Sequence, residues 1–217
     1  GGVIETSARD HDFVDGVCAV CGEKNAAGVI YQYSATYGVY YVSGYSGNGE
    51  TVRVFGRWND GKNGEADVKY IAGGAFRDKT EIRRVILDDN IVSLEGSVFW
   101  GCSNLEYVSM IGIEDMIFAN INTAYSPNET VCTNNNFFLC ASLRTVVVGK
   151  NFNLYPDGNT GAQQFPGSSG KTDIYVYGGE EESNVNCDAG TNNGMLSGNV
   201  YYYSESKAEN RWRFVDG

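Results

Sequence analysis

One short stretch of the chain gathers residue types that bind metal. It contains His11, Cys18 and Cys21, followed by Gly22. A C-x-x-C-G turn brings two thiolates onto one ion, and a histidine nitrogen is the other common zinc ligand. These three residues make a candidate structural zinc site, with Asp10 or Asp12 as the nearest source of a fourth ligand. The alternatives are a local disulfide between Cys18 and Cys21 or a pair of free thiols. Nothing else in the sequence asks for a cofactor.

Catalytic constellations are scarce. His11 is the single histidine, and its place near the start of the sequence leaves no Ser-His-Asp or Cys-His pairing for the rest of the chain. Carboxylates are plentiful, but Asp88, Asp89, Glu106 and Asp173 flank strand-like runs and read as solvated positions. The chain is therefore read as non-enzymatic. A polysaccharide-active enzyme on a solenoid scaffold is the alternative, and a groove holding two or more convergent carboxylates would mark it.

The bulk composition narrows the partners. Asp and Glu number 27 against 16 Lys and Arg, a net charge of −11 that repels phosphate backbones and anionic lipid heads. Neither nucleic-acid binding nor membrane insertion is expected: no apolar run approaches the roughly 18–20 residues that cross a bilayer. The start, Gly1 to Thr6, lacks the basic and apolar segments of a signal peptide, so an exported protein would be present here in processed form. The six cysteines are not spaced like a small disulfide scaffold.

The elements that must position any site are visible as a repeat. Glycine (28) and tyrosine (15) are abundant and proline (3) is rare, which points to strands and turns rather than helices. Ile71, Phe76, Ile82 and Val85 return as Leu94, Phe99, Leu105 and Val108, each shifted by 23 residues. The pattern returns at Phe137, Leu143 and Val146, after an insertion that falls between Ala119 and Asn136. A weaker copy starts at Phe165 and ends in Ile174-Tyr175-Val176, with Lys171 where an apolar residue is expected, and Val200-Tyr201-Tyr202 closes the series. A period of roughly 20–29 residues with one short strand per unit is the mark of a leucine-rich solenoid. Stacked coils would place Phe76, Phe99, Phe137 and Phe165 in one internal column, and Ile82, Leu105 and Leu143 in a second. Cys102 and Cys140 occupy equivalent positions, so both are expected buried, stacked and reduced.

The run Phe99-Trp100-Gly101-Cys102-Ser103-Asn104-Leu105, with Ile71 and Phe76 in the preceding unit, resembles the BspA-type leucine-rich repeat of bacterial cell-surface proteins. That repeat reads I-G-x-x-A-F-x-G-C-x-x-L. Tyr40 to Tyr45 and Val52-Arg53-Val54 are similar to the strand-rich N-terminal cap of such arrays, and Val200 to Glu205 with Arg211 to Phe214 to their close. The resemblance covers roughly residues 28–217 and blurs between Glu114 and Asn136 and between Leu154 and Gly194. It implies a mainly β fold with short helical or irregular segments, wound as a right-handed solenoid. It also implies three parts: a polar leader over 1–27, a β cap over 28–67, and the solenoid with its C-terminal cap over 68–217. Trp58 and Trp212 are expected to act as lids at the two ends. A bacterial secreted or cell-surface location follows from the resemblance, as does a non-catalytic binding or adhesion role towards an extracellular protein or glycan. A structural spacer is a further alternative.

Strand alternation picks out a candidate surface. With Val85, Val108, Val146, Ile174 and Val200 pointing inward, the outward set includes Arg84, Ile86, Tyr107, Ser109, Ile111, Thr145, Val147, Tyr175, Tyr177, Tyr201 and Tyr203. Within it, Arg84, Tyr107, Tyr175, Tyr177, Tyr201 and Tyr203 are the candidate ligand-binding residues. Tyrosine combines a large contact area with a polar tip, which suits a protein, a glycan or a second copy of the chain.

Overall fold

The computed structural model describes residues 13–14, 17–18, 28–117, 136–155, 172–185, 199–204 and 211–212. Strands dominate the described residues, and their one helical piece is a 3-10 turn at Glu180–Glu182. The strands are β1 (Phe13–Val14), β2 (Val17–Cys18), β3 (Val29–Ser34), β4 (Val39–Tyr45), β5 (Thr51–Val54), β6 (Arg57–Asn59), β7 (Glu65–Ile71) and β8 (Arg84–Leu87). They continue with β9 (Ser93–Leu94), β10 (Tyr107–Met110), β11 (Asp115–Ile117), β12 (Thr145–Gly149), β13 (Asn153–Tyr155), β14 (Asp173–Tyr177), β15 (Val200–Tyr203) and β16 (Arg211–Trp212).

Seven strands form the spine, in the order β16-β15-β14-β12-β10-β8-β5. Every neighbouring pair in it is parallel. Parallel neighbours cannot be joined by a hairpin, so each step requires a full crossover of chain. Each coil supplies one spine strand, and a second short strand, β9, β11 or β13, lies off the spine between β8, β10, β12 and β14, so the expected single strand per unit is corrected. The register sets Val85, Val108, Val146, Ile174 and Val200 side by side, as the repeat alignment predicts. The first four are buried, and Val200 is half-buried at the thinning end of the core.

The rest of each coil is also hydrogen-bonded to its neighbour. The Phe76 N–H donates to the Val98 carbonyl at 3.0 Å, and the Phe99 N–H to the Asn136 carbonyl at 2.9 Å. One turn further, Asp78 N–H donates to Trp100 O (2.7 Å) and Gly101 N–H to Phe138 O (2.8 Å). Asp78, Gly101 and Leu139 are equivalent positions in successive coils, and all three have left-handed backbone (φ 58°, 76° and 63°). Only glycine accepts that conformation freely, so the turn's shape is imposed by the coil and not by the residue.

The core is the expected pair of columns. Phe76, Phe99 and Phe137 stack face to face, with centroids 5.3 Å apart at each step and Tyr45 of the cap against Phe76 at 5.6 Å. Ile82, Leu105 and Leu143 are buried beside them. Phe165 and Lys171 lie outside the described residues. Cys102 and Cys140 are buried free thiols, as expected. Each Sγ donates to the carbonyl of a phenylalanine in the coil before it, Phe76 (3.0 Å) and Phe99 (3.2 Å). Burial pushes both thiols up, Cys102 to about 12.

A second sheet, in the order β3-β4-β7-β6 with β9 also on β7, covers the first coils. Strands from residues 28–67 go to both sheets: β5 opens the spine, while β3, β4 and β6 belong to the second sheet. Strand β7 carries Ile71 to its repeat partner Leu94 on β9. Trp58 is half-buried and stacks on Tyr31 with centroids 4.3 Å apart, packed against the core at this end. Trp212 is placed on β16 at the other edge of the spine.

Candidate functional site

The outward face of the spine is organised in rows that run across the strands. One row reads Arg84, Tyr107, Thr145, Asp173; the next reads Arg53, Ile86, Ser109, Val147, Tyr175, Tyr201. Gly149 and Tyr177 pair in a third row, with Tyr203 paired to Trp212 further along. The strands thus bring five of the six candidate binding residues onto the face through residues 84, 107, 175, 177 and 201, and Tyr203 follows Tyr201 two positions on.

The face is not uniformly open, which corrects the expectation from alternation. Ile86, Tyr107, Ser109 and Val147 point outward but retain between 0 and 5% of their surface. Ile86, Tyr107 and Val147 form their own apolar cluster, with Ile111 and Tyr175 packed against it. Tyr107 is therefore packed rather than presented. Arg84 lies over its ring with the guanidinium carbon 4.2 Å from the centroid, so these two candidates mainly engage each other. Alternation identifies the face a side chain points to and does not report what covers that face.

The C-terminal coils differ. Tyr175, Tyr177, Tyr201 and Tyr203 are all half-buried, leaving ring surface accessible. Tyr175 and Tyr201 stack at 4.9 Å with their planes 20° apart, and Tyr177 and Tyr203 lie 6.3 Å apart and tilted. Asn199 ties the edge of this patch: its backbone N–H donates to Asp173 (2.9 Å) and its side-chain amide to the Tyr201 hydroxyl (3.1 Å). Burial, then the Asp173 carboxylate, then Tyr201, raise the Tyr175 hydroxyl above its ordinary value, so it stays a neutral donor.

Next to Tyr177 the sheet ends in a cleft of about 420 Å³. It sits where β8, β10, β12 and β14 stop, and its lining includes Asp89, Glu114, Lys150, Asn151, Tyr177 and Glu182. Its floor includes Gly149 and Gly178, both forced by packing. A Cβ on Gly149 would fall on the Ile111 carbonyl, and one on Gly178 would meet Lys150 Cβ at 2.7 Å and Ser183 Oγ at 2.8 Å. Of these residues only Tyr177 and Asp89 are prominent in the sequence. The signal for the others is positional: most stand at or just past the end of a spine strand, and only stacking the coils reveals that they converge.

The carboxylates that the sequence reads as solvated divide. Asp88 is not solvated: it is 7% exposed, lies 3.4 Å from Arg53 Nε and accepts the Gly56 N–H at 3.1 Å, so it is a structural tie between the first two spine strands. Asp89 and Glu106 are exposed and Asp173 half-buried. Of the candidate zinc ligands, His11 and Cys21 lie outside the described residues and Cys18 is described only as part of the β1–β2 pair. Among the described residues, no three His, Cys, Asp or Glu side chains group closely enough to hold a metal ion. No helix among them is long and apolar enough to cross a membrane.

Comparison with solved structures finds distant similarity to bacterial leucine-rich-repeat proteins. A leucine-rich-repeat protein of T. pallidum shares 18% identity over 70% of this chain and 71% of its own, with a TM-score of 0.48. One from Bacteroides ovatus shares 12% over 82% and 70%, with a TM-score of 0.38. The chain resembles bacterial leucine-rich-repeat proteins. A leucine-rich cell-surface protein of Faecalibacterium prausnitzii shares 15% identity over 83% of this chain and 54% of its own, with a TM-score of 0.33. No family model matches the sequence, and no curated protein matches it. At such distances the repeat scaffold rests on the coil-to-coil register itself, and function rests on the site.

Proposed function

We propose that this leucine-rich-repeat chain is a non-catalytic binding module of the BspA type, acting outside a bacterial cell on a protein or glycan surface. In this reading its coils wind right-handed, as nearly all connections between parallel strands of one sheet do. The observation that carries the reading is the stacked Tyr175–Tyr201 pair on the outward face, partly accessible where its row neighbours Ile86, Ser109 and Val147 are buried. Aromatic residues with a polar tip concentrate at recognition surfaces because they bury a large area at little entropic cost. A second copy of the chain is the remaining class of partner.

The test is an array of glycans and extracellular-matrix proteins, probed with the parent and with Tyr175→Ser/Tyr201→Ser. The parent is expected to bind at least one component, and the paired variant to bind it at least about tenfold more weakly at unchanged fold. Equal binding by both would move the recognition surface off this face. Sedimentation of the same two proteins separates self-association from capture of a foreign partner.

One observation favours the alternative of a polysaccharide-active enzyme: three carboxylates, Asp89, Glu114 and Glu182, line the cleft beside Tyr177. Release of reducing ends from a polysaccharide by the parent, abolished in Glu114→Gln, would establish it.

A further inference from the structure

We infer that the cleft at the strand ends beside Tyr177 is a binding site for a neutral, hydroxyl-rich glycan. The inference rests on the extracellular binding role proposed above and names the chemistry of one ligand.

Shape comes first. A volume of about 420 Å³ lies in the range of roughly 300–1,000 Å³ typical of small-molecule sites. The cleft is built on the ends of four strands of one sheet, so its walls are held by the scaffold and not by a single loop. Gly149 and Gly178 keep backbone at its floor, and packing forbids a side chain at either position.

Chemistry then selects among ligands. Asp89, Glu114 and Glu182 supply acceptors, the Lys150 ammonium supplies donors, and Asn151 and the Tyr177 hydroxyl supply both. A sugar hydroxyl donates and accepts at once, so it matches a mixed lining. A guanidinium or ammonium group from a basic peptide uses acceptors only and would be brought against Lys150. Three carboxylates to one ammonium, on a chain of net charge −11, disfavour uronic or sialic acids. The Tyr177 side chain supplies an aromatic wall for the C–H face of a pyranose, with the Tyr203 ring tilted beside it at 6.3 Å.

The experiment titrates the full chain with neutral gluco-, manno- and galacto-oligosaccharides, with uronic and sialylated oligosaccharides, and with an oligo-arginine peptide. Three variants run beside the parent: Asn151→Ala/Tyr177→Ala, Lys150→Met/Glu182→Gln, and Tyr175→Ser/Tyr201→Ser. The second changes only exposed side chains and so tests the cleft even if the first is poorly folded. At least one neutral oligosaccharide is expected to bind the parent, with affinity reduced about tenfold or more by either cleft variant. No neutral binder, or a preference for the acidic sugars or the peptide, overturns the inference. A neutral binder that ignores both cleft variants but is lost on Tyr175→Ser/Tyr201→Ser overturns the cleft and leaves the tyrosine face standing. A binder lost in the cleft variants and untouched by the tyrosine pair supports the cleft and counts against the face.

Discussion

Phe99 is held between two rings in adjacent coils, each 5.3 Å away, and has no accessible surface. Phe99→Ala removes both contacts and leaves a hole that rigid coils cannot close, so it should cost about 3–5 kcal/mol in denaturant unfolding. A loss below about 1 kcal/mol would contradict the stack. Cys102 illustrates the same burial through its proton. Its thiol is pushed up to about 12 from an ordinary 9.0, chiefly by burial. The folded state therefore holds the proton that the unfolded chain releases. The contribution of this thiol is full below about pH 9 and is lost as pH rises from there towards 12, by about 1.4 kcal/mol for each unit. Cys102→Ala should lose less stability than the parent between neutral pH and pH 10, and a thiol reagent should label Cys102 only on unfolding. Equal alkaline loss in parent and variant, or rapid labelling of native Cys102, would count against this placement. These residues were legible in the sequence because the repeat aligns Phe76 with Phe99 and, once the insertion between Ala119 and Asn136 is set aside, with Phe137, which leaves one way to stack them. Asp88 was not legible as a buried ion pair, since its partner Arg53 lies in the cap and nothing local announces the contact.

At the scale of the element, the coil is a strand followed by turns whose backbones approach the next coil closely. Gly149, at the end of β12, is buried and sits against the Ile111 carbonyl of the coil before it. Gly149→Ala should separate the two coils locally and destabilise the protein by about 1–3 kcal/mol, measured as a lowered urea midpoint with the m-value kept. An unchanged midpoint would show that the coils are looser there. The strands themselves were readable from alternation, and the observed register joins the valines that the repeat aligns. The burial of Ile86 and Val147 was not readable, because period-two patterning separates two faces without saying which is covered. The cleft escaped for a related reason. Asp89, Glu114, Lys150, Tyr177 and Glu182 come from four coils and form no motif.

On the scale of the whole molecule, seven parallel strands give a rigid spine with distinct zones on its outward face. The zone over β8, β10 and β12 is packed, and the zone over β14 and β15 presents stacked tyrosines beside a polar cleft. The central claim is that recognition occurs at the second zone. Amide hydrogen exchange tests it most directly, run on the free chain and on the chain saturated with its strongest binder from the glycan and matrix-protein array. Added protection is predicted over residues 173–177 and 200–203, with the cap strands β3, β4 and β6 unchanged. Protection confined to the cap, or to the turns at 72–80 and 96–104 on the opposite side of each coil, would contradict the account.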